Sequence, residues 1–287
     1  MKAALVLMRP QHWPKNLLVF GGLFFSGEIG HAGWLGHVAI ISVMFCLLSS
    51  ATYIFNDWCD VRIDRLNPRK SQRPLAAGAI RVGTALGLMA ALYAATIAIG
   101  LLAGLSGSLW WLLAVYVALN IGYSLGIKHV TVLELFIVAT GFVVRFFAGV
   151  VELGITASPW IVSAIGMGSL LIVSAKRRAE FADPECRQAR PSLHRYNVNF
   201  LDSVVTGLWA GTLVVYLLFC VSDYADMRYG KRVMFTAIPV AMGLLRFQQI
   251  VLVEGGGEQP VDLLYRDRFL LATLTCFGLI FAYFLYF

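Results

Sequence analysis

The run Asn56-Asp57-Trp58-Cys59-Asp60-Val61-Arg62-Ile63-Asp64 has the pattern N-D-x-x-D-x-x-x-D and closes a long uncharged apolar segment, Ile29 to Phe55. On a helix, Asp57, Asp60 and Asp64 fall at i, i+3 and i+7, so the three carboxylates project from one face. Like charges this close need a counter-charge, and a hard divalent cation is the natural one. Mg2+ prefers carboxylate oxygens, keeps some water, and completes its shell with substrate phosphates. The pattern points to metal-assisted chemistry on a phosphorylated substrate at a membrane surface. The plainer reading is a solvated acidic loop just beyond a helix. Cys59 lies inside the run, but sulfur does not suit Mg2+, and it is read as a bystander.

The elements that must hold this run are membrane spans. The chain is 59% hydrophobic and 14% charged, against about 25% charged in a soluble domain. No charge occurs between Arg81 and Lys128, a stretch of 46 residues, which is enough for two spans of about 20 residues each. Apolar runs predict about nine spans, at 16–27, 37–56, 82–104, 108–127, 130–151, 158–175, 202–222, 233–252 and 268–287. The first has an uncharged core only from Asn16 to Gly27, which leaves it to tilt, break or extend through Glu28. The eighth contains Arg246. Nothing resembles a cleaved signal peptide. The five cysteines are scattered without a C-x-x-C pair, so neither zinc nor disulfides are indicated.

Charge sets the orientation. Basic residues collect at the N-terminus, around the acidic run, at Lys128, between Lys176 and Arg195, and at Arg266 and Arg268. The opposite side holds only Arg228, Lys231 and Arg232. The positive-inside rule then places the acidic run and the N-terminus in the cytoplasm, with the C-terminus outside after nine spans. The net charge of +7 needs no nucleic-acid partner, because cytoplasmic loops of membrane proteins are basic in any case. The longest polar connection, Lys176 to Phe200, is too long for a mere turn and is expected to be functional.

The run after the second span resembles the first aspartate motif of the UbiA-type intramembrane prenyltransferase superfamily. That resemblance implies an all-α fold of about nine helices around a central cavity, formed as a single transmembrane domain over residues 1–287. Finer matches resemble the decaprenyl-phosphate phosphoribosyltransferase branch. They are Arg9-Pro10-Gln11-His12-Trp13-Pro14-Lys15-Asn16, Asn67-Pro68-x-Lys70-x-x-Arg73-Pro74, Tyr123-Ser124-x-x-x-Lys128, Ser174-Ala175-Lys176-Arg177-Arg178-Ala179-Glu180 and Asp262-Leu263-Leu264-x-x-Asp267-Arg268.

Quinone-type members usually carry a second acidic motif, D-x-x-x-D, after the sixth span. Here the connection reads Lys176-Arg177-Arg178-Ala179-Glu180 and then Arg190-Pro191-Ser192-Leu193-His194-Arg195-Tyr196-Asn197. Cations dominate it, as a donor with phosphate at both ends would require, since Arg and Lys bind phosphate oxygens strongly. The positive-inside rule alone would explain several of them. Glu134 and Arg145 are ionisable groups inside the fifth span, eleven residues apart and so on one face. They are read either as structural ion pairs or as cavity groups, Glu134 for ribose hydroxyls or metal and Arg145 for the polar lining.

The expected reaction is transfer of 5-phosphoribosyl from phosphoribosyl pyrophosphate to a polyprenyl phosphate, with release of diphosphate. Asp57, Asp60 and Asp64 are expected to hold Mg2+, with Asn56 beside them. Substrate contacts are expected from Lys15, Asn16, Arg73, Tyr123, Lys128, Glu134, Arg145, Lys176, Arg177, Glu180, Arg190 and Tyr196. The setting is the inner membrane, multi-pass, with the site facing the cytoplasm. The partners are the two substrates and the bilayer, and a homo-oligomer is left open. The alternatives are an aromatic or quinone-precursor prenyltransferase of the same fold, or a non-enzymatic lipid transporter.

Overall fold

The structure is a computed structural model that describes residues 2–28, 30–67, 70–189 and 191–286. Almost all of these residues are helical, and no strand occurs among them. Two compact units form, Met1–Lys128 with Val144–Ile155, and His129–Val143 with Thr156–Phe287.

The first unit is organised by α3. Helix α1 (Lys2–Met8) leads into a 3-10 helix (Pro10–Phe20), α2 (Gly21–Ser26) and then α3 (Ala32–Leu66). Helices α4 (Val82–Leu102) and α5 (Gly107–Leu125) follow, and α1, the 3-10 helix, α4 and α5 all pack on α3. Val38, Ile41, Met44, Phe45 and Leu48 of α3 are buried with Leu109, Leu113 and Tyr116 of α5. At 35 residues, α3 is about 52 Å long, well beyond the ~30 Å hydrocarbon layer. Its last three turns carry the acidic run past the apolar segment. The helix stops at Asn67, which is extended at φ −94° and ψ 122°; the following Pro68 disfavours a helical conformation there.

The expected first span is built in two pieces. An eleven-residue 3-10 helix is unusually long. Pro10 opens it, and Pro14 inside it lacks an N–H to donate. Helix α6 (Leu133–Glu152) contributes its second half to this unit. There the backbones touch: a β-carbon at Gly149 would stand 2.0 Å from the Val19 carbonyl oxygen. Small residues permit such approaches between spans.

The second unit contains the first half of α6, then α7 (Pro159–Ala182), α8 (Pro184–Ala189), α9 (Val198–Cys220), α10 (Asp223–Tyr229), α11 (Ala237–Leu252), α12 (Pro260–Arg266) and α13 (Arg268–Tyr286). Leu171 and Ala175 of α7 join Val205 of α9, Phe247, Ile250 and Val251 of α11, and Leu270 of α13 in one core. Helix α7 runs two turns past the expected span end at 175. Lys176–Glu180 is therefore helix rather than loop, because these residues favour helix and pair at i,i+3 and i,i+4. Arg246 is accommodated in the eighth expected span by ion pairs to Glu254 (2.5 Å) and Asp267 (2.7 Å). Hydrogen bonds from Arg246 and from the Leu270 N–H hold the Asp267 carboxyl below its ordinary pKa.

Eight helices among the described residues are long and apolar enough to cross a membrane. They are α3, α4, α5, α6, α7, α9, the segment Lys231–Leu252 and α13. The chain is a multi-pass membrane protein. The 3-10 segment and α2, which cover the first expected span, are not among these eight.

Candidate active site

Helix α3 places Asp57 and Asp64 on one face, as their spacing predicts: one guanidinium nitrogen, Arg73 Nη1, lies 3.1 Å from Asp57 Oδ1 and 2.7 Å from Asp64 Oδ2. Asp57 and Asp64 are buried, each 2% exposed. The turn after α3 delivers Arg73. Asn67 Oδ1 accepts from the Lys70 N–H at 3.0 Å, and the Arg73 N–H donates to the Lys70 carbonyl at 2.9 Å. An asparagine that bonds backbone a few residues on is a turn former, which gives the Asn67 and Arg73 positions their physical meaning.

Arg9 completes the neutralisation of Asp57, with Nη2 at 2.5 Å from Oδ1. Its backbone is left-handed (φ 54°, ψ 59°), a costly conformation for a residue with a β-carbon. The guanidinium stands 4.9 Å above the Tyr53 ring, one turn before Asp57 on α3, in cation–π geometry. Lys128 follows α5 and donates to Asp60 Oδ1. Asn56 Nδ2 donates to Asp60 Oδ2 at 3.2 Å, and Ser124 Oγ donates to Asn56 Oδ1 at 3.2 Å. Three carboxylates of one helix thus face three cations from three other segments.

A second polar knot lies in the same unit. Arg145, buried in α6, donates from Nε to Asn16 Oδ1 and from Nη2 to the Tyr116 hydroxyl, both at 2.8 Å. Its guanidinium also sits 4.7 Å from the Tyr116 ring and 5.7 Å from Phe45. Asn16 Nδ2 meets Cys46 Sγ at 3.2 Å. Asn16 and Arg145 are therefore together, while Lys15 and Tyr123 are half-buried on the 3-10 helix and α5.

In the second unit, Arg177 lies between two glutamates. Its Nε is 3.1 Å from Glu134 Oε2, and Nη1 is 2.6 Å from Glu180 Oε2. The Arg177 side chain is 4% exposed and that of Glu134 is 0% exposed, whereas Lys176 approaches Glu180 at 3.8 Å from a half-open position. Of the two readings open for Glu134, this geometry is that of an ion pair between helices. Tyr196 accepts the Val132 N–H through its hydroxyl at 2.8 Å. Val132 is the other non-glycine residue with positive φ, at 67°, so Tyr196 braces a strained turn just before Glu134. Arg190 lies outside the described residues.

The donor set on α3 fits Mg2+ in kind: hard, anionic oxygens on one helix face. Among the described residues, no three His, Cys, Asp or Glu side chains are already gathered to hold an ion; the carboxylates are turned to their cations. Arg9 and Ser124 were not among the expected site residues. The signal for Arg9 was a lone cation between an apolar stretch and a proline, and the signal for Ser124 was its place beside Tyr123 and Lys128.

Residues 17–253 match the UbiA prenyltransferase family. The chain is 35% identical over 269 residues to the decaprenyl-phosphate phosphoribosyltransferase of Corynebacterium glutamicum, covering 92% of this chain and 80% of that one. It is 34% identical over 284 residues to the protein of the same name from Mycolicibacterium smegmatis, with 92% and 86% covered. The fold is similar to that of a UbiA homologue from Archaeoglobus fulgidus bound to DMAPP and Mg2+, with a TM-score of 0.69, 20% identity, and 98% and 96% of the two chains covered.

Proposed function

The chain belongs to the UbiA prenyltransferase family, and we propose that it transfers 5-phosphoribosyl from phosphoribosyl pyrophosphate to a polyprenyl phosphate. The observation that carries this reading is the α3 face, where Asp57, Asp60 and Asp64 meet Arg9, Arg73 and Lys128. Such a set offers hard oxygens to a metal and charged donors to phosphate. Relatives named for this reaction, similar over most of the chain, favour the ribosyl donor over a prenyl diphosphate. The sequence Lys176-Arg177-Arg178-Ala179-Glu180 supports the same choice, since cations dominate the connection in which quinone-type members usually carry a second acidic motif.

The lipid phosphate is the nucleophile. A phosphate monoester is largely ionised at neutral pH, with a second pKa of about 6, so no general base is required. Its oxygen bonds to C1 of the ribose as the C1–O bond to diphosphate breaks, with inversion at C1. Mg2+, held by Asp57, Asp60 and Asp64, would supply positive charge to the leaving diphosphate. Arg9, Arg73 and Lys128 add charged hydrogen bonds to the same oxygens, and fixed donors of this kind lower the barrier where negative charge develops. Asn56, held by Ser124, orients Asp60. The site faces the cytoplasm of the inner membrane, the side on which the basic residues collect.

The test uses purified protein, labelled phosphoribosyl pyrophosphate and a polyprenyl phosphate, with a prenyl diphosphate as the rival donor. Labelled lipid should form only with a divalent cation, and Asp57→Asn or Asp60→Asn should lower turnover by roughly 10²-fold or more, as loss of a principal electrostatic group does. Transfer from the prenyl diphosphate alone would replace this reading with the rival one.

A further inference from the structure

Arg9, Arg73 and Lys128 all come from outside α3, and each has its carboxylate already in hand. Asp57 is the most heavily engaged, with two guanidiniums on Oδ1 alone. A divalent cation arriving by itself would have to expel these groups and then stay beside them as a like charge, which disfavours it. A diphosphate arriving by itself would meet the carboxylates, which repel it. A metal–diphosphate pair meets neither obstacle. The carboxylates turn to the metal, the guanidiniums and the ammonium turn to phosphate oxygens, and every charge keeps an opposite partner throughout. Phosphate suits the guanidinium fork as well as carboxylate does.

We propose that Arg9, Arg73 and Lys128 are exchangeable counter-ions, so that metal and diphosphate enter as one unit and each binds poorly without the other. This rests on the reading of the aspartates as the metal–diphosphate site. Arg9 is the most sharply placed of the three. Its left-handed backbone and its seat over Tyr53 hold the side chain at Asp57.

The experiment measures Mn2+ binding to metal-free protein by EPR titration, and retention of labelled inorganic pyrophosphate by equilibrium dialysis with Mn2+ or with chelator. In the unaltered protein, Mn2+ alone binds weakly, and pyrophosphate is held at least tenfold more tightly with Mn2+ than without it. Coupling of this kind is reciprocal. Arg9→Gln frees Asp57 from one cation, so Mn2+ alone binds roughly tenfold more tightly while pyrophosphate binds more weakly, one charged hydrogen bond being about that large. Arg73→Gln changes both affinities in the same directions and serves if the Arg9 variant fails to fold. The proposal is overturned if pyrophosphate is held equally well in chelator, or if both variants leave Mn2+ binding unchanged or weaker. Asp57→Asn separates the two levels. If it leaves Mn2+-dependent pyrophosphate binding intact, the aspartate site itself is wrong. If it abolishes that binding while both arginine variants behave as the unaltered protein, only the exchange is wrong.

Discussion

At the scale of single residues, Arg177 carries a structural duty that its sequence context does not show. That context suggests a phosphate ligand, and in the structure its side chain pairs with Glu134 and Glu180. Arg177→Ala leaves a fully buried glutamate without this counter-charge, a change that costs about 3–5 kcal/mol in buried pairs. Thermal unfolding in detergent should therefore show a clear loss of stability, with Arg177→Lys intermediate; an unchanged melting temperature with a raised donor KM would return Arg177 to the ligand role. The aspartates were legible because their relation is local, three and seven residues along one helix. The partners were not, since Arg9 meets Asp57 across 48 residues and Arg177 meets Glu134 across 43. A sequence shows that cations will be near; only the packing decides which carboxylate each one meets.

At the scale of elements, spans were readable where apolar length was ample, as in α4 and α5, and misjudged where polar residues continue a helix. Helix α7 is the example: Lys176–Ala182 reads as a connection, but its helix formers and i,i+3 pairing carry the span onward. Close contacts between elements were not readable at all. Gly149 looks like any glycine of an apolar run, although Val19 presents a carbonyl oxygen at the place of its missing side chain. Gly149→Ala should destabilise the protein by about 1–3 kcal/mol, the usual cost of forced overpacking, because the obstacle is backbone and cannot rotate away. Gly207→Ala, in α9 with open space around it, is the control. It should be neutral or slightly stabilising, since alanine is the better helix former. Equal melting temperatures for the two variants would remove the argument.

At the scale of the whole molecule, the open quantity is the parity of crossings. Eight long helices alone would return the chain to the side on which it began. A crossing by the segment Pro10–Ser26 would change that count. Eleven residues of 3-10 helix rise about 22 Å and six of α-helix about 9 Å, so laid end to end they would match the ~30 Å layer. The N-terminus is expected in the cytoplasm and the C-terminus outside. Paired terminal fusions to a fluorescent protein, which matures only inside, and to alkaline phosphatase, which works only outside, report this directly; two cytoplasmic ends would mean that the segment does not cross. The stretched segment also has little tolerance for editing. Each of its residues sets about 2 Å of reach and 120° of rotation, and Asn16 and Val19 both have fixed addresses, at Arg145 and at Gly149. A one-residue insertion or deletion between them breaks one address or the other. Three residues restore the facing but overshoot the depth, so the spacing from Asn16 to Val19 tolerates no change of length.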